Sequence, residues 1–67
     1  MKEKFLKIKN DLENDIELLE SAIKDYSKAI ELNPNYAEAY FDRGKARGDL
    51  IEKEKLLEAI NYKIAIL

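Results

Sequence analysis

Ala22-Ile-Lys-Asp-Tyr-Ser-Lys-Ala-Ile-Glu-Leu-Asn-Pro-Asn-Tyr-Ala-Glu-Ala-Tyr-Phe41 holds two helix-period runs that meet at an Asn33-Pro34-Asn35 corner, with the only proline of the chain at its centre. Before the corner, Ala22, Ile23, Tyr26, Ala29 and Ile30 recur at three- and four-residue steps, which stacks them on one helical face. Pro34 has no backbone N–H and drives Asn33 out of the right-handed helical region, so the first helix must stop near Leu32. Beyond it, Asn35 is expected to cap a second helix, with Glu38 three residues on completing a capping box. That helix should begin near Tyr36.

So short a connection lays the two helices side by side and antiparallel. Pro34 is the midpoint of the 67 residues, so residues whose numbers sum to about 68 should stand at equal height. On that register Asp25 is level with Arg43, Asp15 with Lys53, and Glu13 with Lys55, all opposite charges.

Working outward, Phe5, Ile8, Leu12, Ile16, Leu19, Ile23, Tyr26 and Ile30 form one stripe with no Gly or Pro inside it. We read one helix over about 3–32, with a break near 14–18 as the alternative. Its lysines (Lys2, Lys4, Lys7, Lys9) precede an acidic stretch from Asp11 to Glu20, the reverse of what the helix dipole favours. The second arm, about 36–66, carries Arg43, Lys45 and Arg47 near its start and a stripe of Leu50, Leu57, Ile60, Ile64 and Leu67, interrupted at Lys53 and Glu54. Gly44 is expected to let a neighbouring helix approach closely. Gly48, ahead of Asp49 and Glu52, is the expected kink, placing the second possible break at 48–52. The last turns are apolar nearly all round, and Leu57, Ile60, Ile64 and Leu67 are the expected self-association surface.

Length and composition set the limits. A chain of 67 residues is one domain, 1–67, and buries only about 60% of the surface it exposes unfolded. With no cysteine and no histidine, neither a disulfide nor the usual zinc site can staple it, so self-association or a partner is the expected remedy. Two glycines, one proline and abundant Lys, Glu, Leu, Ile and Ala make the class all-α. A formal charge of −2 offers no general attraction to nucleic acid or anionic membranes. No apolar run approaches the roughly 20 residues that span a bilayer, and residues 1–10 lack the apolar core of a signal peptide, so the expected setting is cytoplasmic.

Ala22-x₃-Tyr26, Pro34 and then Tyr40-x₂-Arg43-Gly44 together resemble the tetratricopeptide repeat (TPR), a 34-residue helix-turn-helix unit. The match is strongest over 22–47, as the second helix of one repeat running into the first helix of the next. Tyr40 stands at the family's usual Trp, Gly44 at its small interhelical residue, and Pro34 at the proline that ends a repeat. Arg47 departs from the pattern, since an aromatic residue is usual there. The glycine-bearing turn inside each repeat would fall at Glu17-Leu18 and Ile51-Glu52 and is missing from both places. The resemblance therefore implies a long antiparallel helical hairpin of TPR type. Its alternative is two repeats folded as four short helices.

Such repeats bind peptides or proteins on the concave face of their first helices. By resemblance that face carries Lys7, Asp11, Glu38, Phe41, Asp42 and Lys45. Asp11 and Asp42 replace the asparagines of the family's carboxylate-clamp version and would repel a C-terminal carboxylate. The partner expected is a protein or peptide, with a homodimer as the simplest assembly, and neither nucleic acid nor a membrane. The alternative is a purely structural self-assembling repeat fragment. No catalytic set of Ser/His/Asp or Cys/His type can be built without His or Cys. No phosphate-binding glycine loop or calcium loop is present either, and no cofactor or metal is expected.

Overall fold

The computed structural model describes residues 2–67. Two helices, α1 (Lys2–Leu32) and α2 (Ala37–Ile66), pack on each other as an antiparallel hairpin about 49 Å long and 14 by 12 Å across. Thirty residues at about 1.5 Å each span about 45 Å, so each arm runs the whole length. The single-helix reading of the first arm holds, since α1 is continuous through the alternative break at 14–18, while the kink expected at Gly48 does not occur and α2 is continuous through 48–52. Gly48 lowers helix propensity by about 1 kcal/mol relative to alanine, and the packing along the arms outweighs that cost.

The corner is a four-residue turn whose bonding differs from the expected capping box. The Asn33 N–H donates to the Ala29 carbonyl at 2.9 Å, the last bond in the α1 pattern, and the Tyr36 N–H donates to the Asn33 carbonyl at 3.0 Å, closing a β-turn. Asn33, not Asn35, supplies the side-chain acceptor, because the Asn35 N–H donates to Asn33 Oδ1 at 3.3 Å. Pro at the second position and Asn at the first are the residues such a turn prefers. Among the described residues none has positive φ, so the turn needs no glycine. Tyr36 is the N-cap of α2 and makes no side-chain capping bond. Its carbonyl accepts from the N–H groups of Ala39 and Tyr40 at 3.1 and 3.3 Å. The turn consumes Asn35, and the helix therefore starts one residue later than the Asn35–Glu38 pattern implies.

Two contacts between the arms set the register. Lys53 Nζ lies 3.3 Å from Asp15 Oδ2, and Arg43 Nη1 donates to Ser27 Oγ at 3.1 Å. Their residue numbers sum to 68 and 70, so levels on the two arms sum to 69. The Asp15–Lys53 expectation holds. Among the described residues no ion pair joins Asp25 to Arg43 or Glu13 to Lys55: Arg43 turns to the Ser27 hydroxyl instead, and Glu13 and Lys55 lie exposed.

On α1 the positions 5, 9, 12, 16, 19, 23, 26 and 30 are all buried or half-buried, and on α2 so are 39, 43, 46, 50, 53, 57, 60 and 64. Both rows alternate steps of four and three, the spacing of a coiled-coil seam. Within this seam Lys9 replaces the expected Ile8, which is exposed, and Lys53 occupies a seam position rather than interrupting it. Long aliphatic stems let both lysines lie along apolar surface with their ammonium groups outside. Ile30 is level with Ala39 and Ile23 with Ala46, large against small. Among the described residues Ile30, Ala39 and Ala46 are three of the four buried apolar side chains, with Leu12 the fourth.

Gly44 does not serve a close approach within the hairpin, because a Cβ built there, or at Gly48, meets nothing within 4 Å. Of the four tyrosines, only Tyr26 lies in the seam, and Tyr36, Tyr40 and Tyr62 are exposed.

Candidate protein-interaction surface

A seam between two helices covers one stripe of each, and the flanking rows stay open to solvent. Asp15, Leu18, Leu19, Asp49 and Lys53 line a shallow cleft of about 270 Å³ where the arms meet. Seven-residue steps extend the rows through these residues. On α1 one row is Ile8, Asp15, Ala22 and Ala29, and the next is Lys4, Asp11, Leu18 and Asp25. On α2 the matching rows are Asp42, Asp49, Leu56 and Lys63, then Lys45, Glu52, Ala59 and Ile66. This flank exposes Leu18 at 69% and leaves Ile8, Leu56 and Ile66 uncovered as well.

The opposite flank carries Tyr40, Gly44, Arg47 and Ile51 at three- and four-residue steps. Here the Arg43 guanidinium sits 5.5 Å from the Tyr40 ring centroid while donating to Ser27. The ring and the hydroxyl hold the half-buried cation in one orientation.

The residues expected on a concave face divide between the two ends of the rod. Glu38, Phe41, Asp42 and Lys45 lie within two turns of α2 near the corner. Phe41 is 72% exposed and Asp42 is half-buried. Lys7 and Asp11 are exposed on α1, and Asp11 is level with residue 58, roughly 20 Å along the axis from Lys45. The uninterrupted helices cause this separation, because without a turn inside each repeat the two first-helix segments cannot lie next to one another. Of the expected self-association residues, Leu57, Ile60 and Ile64 are half-buried in the seam beside α1, while Leu67 is 54% exposed beyond the end of α2.

Leu18, Ile51 and Leu56 are not singled out as interaction residues from the sequence, because the rows that carry them are defined only relative to the seam. Among the described residues no group of acidic side chains is arranged to hold a metal ion, and no helix is long and apolar enough to cross a membrane.

A model of the TPR repeat matches residues 11–50. That is more than half of the chain, and the protein belongs to the TPR repeat family, whose members mediate protein–protein interaction. The match is centred on the corner and takes in the inner parts of both arms. No curated protein and no solved structure shows significant similarity to the chain.

Proposed function

We propose that this hairpin is a non-catalytic protein-interaction module that completes its core by docking on another protein surface, in the first instance a second copy of itself. The observation that carries the reading is how little the hairpin covers. Among the described residues no large side chain is fully buried, and the chain exposes 5277 Å². A folded chain of 7.8 kDa averages about 4,400 Å². The difference, about 900 Å², is close to the roughly 800 Å² that each partner contributes to a standard interface. The radius of gyration, 15.2 Å, likewise exceeds the roughly 11 Å of a compact chain of this length.

Sedimentation equilibrium over a concentration series, with helicity followed by circular dichroism, tests the reading. Helicity and mass should rise together with concentration. A fully helical, thermally stable monomer at every concentration would count against it. A second reading, peptide capture beside Glu38, Phe41, Asp42 and Lys45, draws on the exposure of Phe41, and Phe41→Ala would abolish it without changing the sedimenting mass.

A further inference from the structure

Charge and apolar surface are divided lengthwise on the flank that holds the Asp15–Lys53 pair. At the open end of the hairpin the flank rows carry Lys4 and Lys63 with Ile8 and Ile66, and no acidic residue. In the middle third they carry Asp15, Asp49 and Glu52 with Leu18 and Leu56, and among the described residues the only base beside them, Lys53, is already paired with Asp15. The two zones are complementary in sign and alike in exposed apolar residues. They lie at different heights, and no bend of a single rod can bring them together.

From this distribution, and resting on the self-association reading above, we propose that two copies pack flank to flank as an antiparallel, staggered dimer. The basic open end of each lies on the acidic middle of the other. The two-fold axis passes near Asp11 and Ala59, which stand at almost the same height, so Asp11 meets its own copy there and makes the one like-charge contact of this arrangement. One rod is then displaced by roughly 20 Å along the other, at 1.5 Å per residue. Lys4 and Lys63 of each copy come level with the partner's stretch from Asp15 to Asp49, and Ile8, Leu18, Leu56 and Ile66 are covered from both sides. All neighbouring helices in the resulting four-helix core run antiparallel. Apolar burial provides the affinity, and the charges select the stagger: full overlap would set acidic middle on acidic middle, and end-to-end abutment would set basic end on basic end. Because the contact is isologous it closes on itself as a dimer and does not propagate into a fibre.

A charge-exchange experiment tests the arrangement. In K4E/K63E the open end becomes acidic, and in D49K/E52K the middle becomes basic. Each variant alone should lose self-association by roughly tenfold or more, with helicity falling in step at a given concentration, since like charges now face each other across the interface. An equimolar mixture should recover a mixed dimer of near-parental affinity, because both contacts are again between opposite signs. That recovery cannot come from damaged monomers. A parent dimer indifferent to both double substitutions, or variants that fail to recover on mixing, would overturn this arrangement and leave the self-association reading intact. A parent that stays monomeric would overturn both.

Discussion

Arg43 reaches from α2 to the Ser27 hydroxyl on α1 at 3.1 Å, and its guanidinium lies over the Tyr40 ring one turn earlier on its own helix. This is a polar bridge at a seam position, level with Tyr26, and it fixes the rotation of the two arms near the corner. Replacing Ser27 with alanine removes one partly buried acceptor and should cost about 0.5–1.5 kcal/mol. Tyr40→Leu should cost less, about 0.5–1 kcal/mol, by removing the cation–π contact. Urea unfolding at fixed protein concentration measures both. Loss of the same amount from Ser27→Ala in an Arg43→Met background would show that the bond contributes nothing.

Packing rather than the Asp15–Lys53 ion pair holds the middle of the hairpin. Both charged side chains remain more than a third exposed, and pairs of that kind contribute about 0–1 kcal/mol. Leu12, level with Leu57, is 7% exposed, and truncation of such a side chain costs about 2–5 kcal/mol. Asp15→Asn should therefore leave the circular dichroism melt nearly unchanged, while Leu12→Ala should abolish folding of a chain this small. Equal effects from the two would show that the ion pair, not the seam, dominates.

Both glycines can be filled. A Cβ at Gly44 or Gly48 meets no atom within 4 Å, and both residues are helical. Alanine at either place should stabilise the hairpin by about 1 kcal/mol through helix propensity and a less disordered unfolded chain. A gain at Gly48 with a loss at Gly44, read from thermal midpoints across protein concentrations, would instead mean that a partner helix sits against Gly44.

Pro34 is what turns the chain back. With Pro34→Ala the Asn33–Tyr36 segment regains a donor and the freedom to be helical, and α1 could run on into α2 as one rod. Two such rods would recover every seam level by exchanging arms, so the substitution should convert compact hairpins into an elongated swapped dimer. Small-angle scattering should then give a radius of gyration well above 15.2 Å. An unchanged value would place the reversal in the asparagines rather than the proline.

The architecture was readable because Pro34 and the unbroken stripe from Phe5 to Ile30 carry it, and both depend on local rules. The bonding at the corner was not. Asn33 and Asn35 offer the same side-chain oxygen, and only the closed turn decides that Asn33 accepts. Ile8 and Lys9 were misread for a related reason: three- and four-residue steps admit either one, and the choice follows from the level of Ile60 on the other arm. Gly48 failed as a kink because its local preference is small against the packing of a whole helix. The flank rows around Leu18 and Leu56 follow a seven-residue step that becomes visible only once the seam is known.

The hairpin is fastened at one end only, where the turn bonds and, among the described residues, three of the four buried apolar side chains lie. Cohesion should therefore be graded along the rod, greatest around Ile30 and Ala39 and least at the open end, where Phe5 is level with Ile64. Amide hydrogens would exchange fastest at the open end, like a zip parting from its loose side. Anything that clasps that end would slow exchange there most of all, and would do so far from the bend that shapes the molecule.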